Sequence, residues 1–192
     1  MARTESRMLE LGTRAPAFSL PDPDGTLHSL SDRADADAVL VMFICNHCPF
    51  VKHVRQELAA LGRDYGSRNV AIFAINSNDA ENYPDDGPQP MKDEAAAHGY
   101  RFPYLIDADQ SVAKAYQAAC TPDFFVFDDN LRLTYRGQLD DSRPSNDQPV
   151  SGADLRNALD ATLRGEKVAE PHKPSIGCNI KWKPGNAPEW FA

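Results

Sequence analysis

The longest apolar run of the chain, Ala38 to Ile44, has no polar position on either alternating face. That pattern predicts a central strand covered on both sides, and the run stops at Cys45. Val51, Val54, Leu58, Leu61 and Tyr65 then recur at three- and four-residue steps, one face of a helix. Pro49 stands near its start, where a missing N–H is tolerated, and Gly66 closes it. Val70 to Ile75 reads as a second buried strand. Residues 76–90, rich in Asn, Asp and Pro, read as a loop in which Asp85 and Asp86 are solvated. Pro90 opens a helix to His98, with Gly99 as its stop.

Shorter elements flank this centre. Phe18-Ser19-Leu20 and Leu27 to Leu30 surround the turn dipeptide Asp24-Gly25 and predict a hairpin. Tyr104 to Ile106 predicts a strand and Ser111 to Ala119 a helix. Phe124 to Phe127 and Leu131 to Tyr135, joined by Asp128-Asp129-Asn130, predict a second hairpin. Ser151 and Asp154 suggest a capping box for a last helix, whose stripe is Leu155, Leu159 and Leu163 and whose stop is Gly165. From Glu166 periodicity is lost, and the tail is expected to be irregular. The order predicts an α/β fold: a mixed β-sheet flanked by helices, parallel at its start and antiparallel at one edge.

Composition narrows the function. The chain has 192 residues, 42% of them hydrophobic, which suits one domain. We expect that domain over 1–165, with 166–192 packing on it as an extension. The net charge is −8 and no basic run occurs, so nucleic acid and anionic membrane are not expected partners. The first residues have no continuous apolar core of a signal peptide, and the longest apolar run is too short to span a bilayer. A cytosolic location is the expectation. Thiols stay reduced there, so the four cysteines point to catalysis or metal binding rather than structural disulfides.

Cys45-Asn46-His47-Cys48 lies between a buried strand and the first turn of a helix. Unpaired N–H groups and the positive end of the helix dipole favour thiolate there. His47 can add charge or a hydrogen bond. Two cysteines three apart can also close a small disulfide, one attacking and the other resolving. The alternatives are two inert buried thiols, or a zinc or copper site completed by Cys120, Cys178 or a histidine. No organic cofactor is implied.

Further residues resemble the thioredoxin superfamily, specifically its AhpC/TSA (peroxiredoxin-like) branch. Gly12-Thr13-Arg14-Ala15-Pro16-Ala17-Phe18-Ser19-Leu20-Pro21-Asp22 is similar to the G-x-x-A-P-x-F-x-L-x-D entry of those proteins. Phe102-Pro103-Tyr104-Leu105-Ile106-Asp107 is similar to their F-P-x-L-x-D strand. Thr121-Pro122 resembles the cis-proline loop that faces the dithiol, and Arg136-Gly137 the end of the hairpin. The tail Ser175-Ile176-Gly177-Cys178-Asn179-Ile180-Lys181-Trp182 resembles that of a bacterial subgroup of this branch. The peroxiredoxin pattern P-x-x-x-T-x-x-C is not met: Val41 and Cys45 stand before Cys48, Ala38 and Met42 before Cys45. The W-C-G-P-C of thioredoxins is not met either, since Ile44 precedes Cys45 and no acid lies in the strand.

The resemblance implies a thioredoxin-like fold and thiol chemistry on protein or small-molecule disulfides, or on peroxides, with an electron-donor thiol system as partner. Cys45 is expected as the more exposed attacking thiolate, Cys48 as the resolving thiol and His47 as the group that tunes acidity. Thr121 and Pro122 would dock a partner's extended chain by backbone pairing. Cys120 and Cys178 are possible additional redox thiols, each with a plain packing role as the alternative. Arg136 is either a thiolate-stabilising cation or half of a surface pair with Asp140 or Asp141. His53 is expected on the solvated face of its helix. A thiol peroxidase is the second reading. A copper- or zinc-thiolate carrier, using His98 or His172, is the third.

Overall fold

A computed structural model describes residues 3–191; positions 1, 2 and 192, the outer ends of the expected domain and extension, lie outside the described residues. Its centre is a five-stranded sheet of β4 (Ala38–Phe43), β5 (Val70–Asn76), β6 (Tyr104–Ile106), β8 (Asp123–Asp128) and β9 (Leu133–Gly137), in the order β6-β5-β4-β8-β9. β4, β5 and β6 run parallel, while β8 and β9 are antiparallel to their neighbours. This is the mixed sheet that the strand pattern predicts.

The doubly apolar β4 explains the layering. Ala38, Leu40 and Met42 face one core with α1 (Pro49–Tyr65), α2 (Pro88–His98) and α4 (Ala153–Leu163). Val39, Val41 and Phe43 face a second core with α3 (Ser111–Ala115), Phe18 and Leu30. Successive side chains of a strand point to opposite faces, so a strand buried on both must be apolar throughout. Tyr116 anchors the second core: its ring packs on Phe18, Phe43, Phe125 and Phe127, and its hydroxyl donates to the Pro16 carbonyl at 2.9 Å.

Several boundaries differ from the sequence expectation. α3 ends at Ala115, not Ala119, because Gln117 turns at φ 51° and Cys120 already belongs to β7 (Cys120–Thr121). α4 starts from Gly152 at φ 65°, with the Asp140 carboxylate accepting from the Ser151 and Gly152 amides, both at 2.7 Å; the expected Ser151–Asp154 box does not form. The tail is the largest difference. Its residues Ile176–Asn179 form β10, the middle strand of a three-stranded antiparallel sheet between β1 (Arg3–Glu5) and β7. The predicted N-terminal hairpin is present as β2 (Ser19–Pro21) and β3 (Leu27–Ser29).

Candidate active site

The dithiol sits where β4 ends and α1 begins. Cys48 is the N-cap of α1 and Pro49 its first residue, so the open amides of the first turn face the Cys48 side. Opposite lies the Thr121-Pro122 bond, which is cis, at the junction of β7 and β8. The Cys45 sulfur lies 3.3 Å from the Thr121 hydroxyl, and the Cys48 thiol donates to the Thr121 carbonyl at 3.2 Å. Cys45, Cys48, Thr121 and Pro122 are thus brought together as the sequence expects. Neither thiol is open to solvent: Cys45 is 1% exposed and Cys48 fully buried. The expectation of an accessible Cys45 is corrected, because Cys48, Thr121 and the Asp86 side of the site enclose it.

The two sulfurs differ in acidity. Cys48 is pulled down to about 5, chiefly by its hydrogen bond with Cys45, then against burial by the Cys178 thiol and the Val51 amide. Cys45 is held well above the ordinary thiol range by the same bond with Cys48, by burial and by the negative Asp86. One thiolate, flanked by protonated thiols, is the state these contacts favour, and Cys48 carries it. Ionisation gives up one contact, the bond to the Thr121 carbonyl. It gains two sulfur donors and a helix N-terminus.

His47 is held by an acid that the sequence assigns to solvent. Asp85 is exposed, but Asp86 is 3% exposed, at the end of the short 3₁₀ turn Pro84–Asp86. Its carboxylate takes the His47 Nδ1 at 2.6 Å, the Asn78 side-chain amide at 2.8 Å and the Asn46 backbone N–H at 2.8 Å. The Tyr104 hydroxyl donates to the Asn46 side-chain carbonyl at 3.0 Å, fixing the loop from below. Tyr83 stacks on the imidazole, 5.4 Å between centroids. Burial alone raises the Asp86 carboxyl, but His47, Asn78 and Asn46 together bring it below the usual carboxylate value. The folded carboxyl therefore binds its proton more weakly than the unfolded one. This stabilises the fold above the unfolded value and is lost as pH falls through the folded value. Asp86→Asn should lose about 1–3 kcal/mol at neutral pH and show a shallower fall in Tm on acidification than the wild type. Thermal melts from neutral to strongly acidic pH check both.

A second buried acid, Asp123, directly follows Pro122. Burial keeps it well above the carboxylate range, and its Oδ2 finds no partner among the described residues. The lead-in strand has no acid, as the sequence indicates; Asp86 and Asp123 come from elsewhere in the fold.

The remaining candidates separate. Cys178 joins the dithiol in one buried cluster. Its thiol bonds the Cys48 sulfur, and burial followed by that bond pushes it up to about 12. Cys120 is fully buried and turned to the Pro122 and Ser175 carbonyls, at 3.8 and 4.0 Å. Burial first, then Asp123, keeps it a thiol, so its surroundings fit packing better than reactivity. Arg136 bonds the Leu9 carbonyl and His172 Nδ1 at 2.9 and 2.7 Å, and Asp141 pairs with Lys173 instead. Neither expected role of Arg136 is met. His53 is half-buried, beside Phe50 and Pro122, rather than solvated. His98 bonds Arg55 at 2.8 Å, so neither it nor His172 is turned to the dithiol. Donor atoms of Cys45, His47 and Asp86 do lie within 4.8 Å of one another. The Asp86 oxygens there are already engaged by three donors, which fits proton handling better than metal ligation.

The Redoxin family model matches residues 10–155. A solved structure of an uncharacterised conserved protein from Geobacillus kaustophilus is 57% identical with a TM-score of 0.93, covering 96% of this chain and 98% of that one. A thiol-disulfide oxidoreductase ResA from Geobacillus kaustophilus is 28% identical over 129 residues, 66% of this chain and 68% of that protein. A putative peroxiredoxin from Mycobacterium tuberculosis is 26% identical over 115 residues, 60% of this chain and 68% of that one.

Proposed function

This chain belongs to the redoxin family of thioredoxin-fold oxidoreductases, and from that premise we propose that it is a thiol–disulfide oxidoreductase working through Cys45 and Cys48. The observation that carries the reading is the placement of both sulfurs on Thr121, one residue before cis-Pro122, at the N-terminus of α1. Cys48, and not Cys45 as the sequence leads us to expect, is the thiolate that attacks a substrate disulfide, since its contacts favour ionisation while those of Cys45 oppose it. Cys45 then attacks the Cys48 sulfur and releases the reduced substrate, leaving a Cys45–Cys48 disulfide. The His47–Asp86 pair takes up or returns the proton beside Cys45. A donor thiol restores the dithiol.

The test is peptide mapping of reduced protein after mild treatment with a small disulfide. A Cys45–Cys48 linked peptide is expected. Persistence of both as alkylatable thiols would sink the reading.

One observation favours a second reading, a thiol peroxidase: the Thr121 hydroxyl at Cys45 supplies from another strand a hydroxyl that the local pattern lacks. Peroxide consumption no faster than that by a free thiol excludes it.

A further inference from the structure

The edge of β7 that a partner's extended chain would pair with is already occupied. β10 pairs there, with Cys178 opposite Thr121 and Asn179 opposite Cys120. The fit is close: a Cβ on Gly177 would stand 1.9 Å from the Thr121 carbonyl oxygen and 3.2 Å from the Pro122 nitrogen. Only glycine lets the strand lie directly on the cis-proline loop. The next residue, Cys178, then falls into the same buried cluster as Cys45 and Cys48, and is itself 3% exposed. The segment continues to be held beyond it. The Ile180 amide bonds the Ala119 carbonyl at 3.1 Å, and Lys181 bonds Asn78 at 2.8 Å. The tail therefore lies where a substrate strand would, and it presents a cysteine to the reactive sulfur.

From this juxtaposition we propose that Cys178 is a third redox residue, a resolving cysteine that forms a disulfide with Cys48. The proposal rests on the reading above, that Cys48 is the attacking thiolate. Cys48 is sealed while β10 is paired, so attack occurs when the strand lifts. The Cys48 thiolate then bonds one sulfur of a disulfide R–S–S–R, and R–S⁻ leaves and takes from solvent the proton that Cys48 released on ionising. Re-pairing of β10 displaces the substrate and brings the Cys178 sulfur onto Cys48. The Cys48–S–R bond breaks, a Cys48–Cys178 bond forms, and the Cys178 proton ends on the second R–S⁻. Two protein thiols are oxidised to one disulfide, and R–S–S–R is reduced to two R–SH. Cys45 and Cys178 thus compete for one sulfur. The Cys45–Cys48 product leaves the tail able to lift; the Cys48–Cys178 product ties it down.

Cys45→Ser isolates the step. After reaction of the reduced full chain with oxidised glutathione, it should yield a peptide linking Cys48 to Cys178. Adding Cys178→Ser should instead trap glutathione on Cys48, about 100-fold longer-lived than in Cys45→Ser alone, because no positioned thiol remains to displace it. Circular dichroism checks that both variants keep the fold. Should Cys178→Ser disturb it, the linked peptide in Cys45→Ser alone decides the matter. The proposal is overturned if Cys45→Ser keeps a stable Cys48–glutathione adduct while Cys178 remains alkylatable. Failure of the oxidoreductase reading looks different: Cys48 then takes up no glutathione in any variant.

Discussion

Reduced protein titrated at 240 nm should lose one thiolate with a midpoint near pH 5, and Cys48→Ser should remove that transition. The Cys45–Cys48 bond, the Cys178 thiol and the Val51 amide all act on this one sulfur. An unperturbed thiol, ionising near 8.5, is about 3% thiolate at pH 7. Cys48 would be almost fully ionised, roughly a 30-fold gain in nucleophile. Cys48→Ser should therefore reduce disulfide exchange to background, a larger loss than Cys45→Ser produces. The sign of the linked stability follows. The folded value lies below the unfolded one, so the contribution is complete above the unfolded thiol value and lost as pH falls through about 5. It belongs to the reduced form alone, which makes the disulfide a stronger oxidant. A 240-nm midpoint near 8.5, unchanged by Cys48→Ser, would refute the assignment.

The second large effect is expected at a residue that carries no reactive group. Gly177→Ala places a methyl 1.9 Å from the Thr121 carbonyl oxygen, and the obstacle is the Thr121–Pro122 backbone rather than a flexible side chain. Neither strand can yield without breaking the pairing of Cys178 with Thr121. Overpacking of this kind typically costs about 1–3 kcal/mol, or roughly 2–12 °C in Tm for a domain of this size. At the same time Cys178 and Cys48, both buried in the wild type, should become open to alkylation. A lowered Tm with faster labelling of these two thiols is the expected pair of results. Unchanged labelling would show that the cover does not depend on this contact.

What the sequence made legible follows from signal strength. β4 and α1 were readable because long, strict patterns leave few alternatives. The cis bond at Pro122 was readable through its family motif. β10 was not, because Ile176-Gly177-Cys178-Asn179 is short and contains a glycine, which reads as loop. Its strand character comes from partners distant in sequence, Arg3–Glu5 and Cys120–Thr121. Asp86 was missed because a charge within an Asn/Asp/Pro stretch reads as solvated. Its burial depends on Asn46, His47 and Asn78 converging on it. The abundance of asparagine around the motif was the available clue, since such side chains satisfy a buried carboxylate. The exposure of Cys45 was misjudged for the same reason as Asp86: the groups that enclose it, around Thr121 and Asp86, come from distant parts of the chain.

That strand is the middle member of its sheet, with β1 on its outer side. Arg3, Thr4 and Glu5 hold Cys178, Gly177 and Ile176 in register, so residues more than a hundred positions away act on how often the dithiol is uncovered. In the language of local opening equilibria, β1, β10 and β7 form one small cooperative unit, distinct from the five-stranded sheet. Its opening free energy sets a ceiling on the rate at which any bulky substrate meets Cys48. Changes near either terminus, including an affinity tag fused before Arg3, would then register as altered kinetics while the chemistry at the sulfur stayed the same.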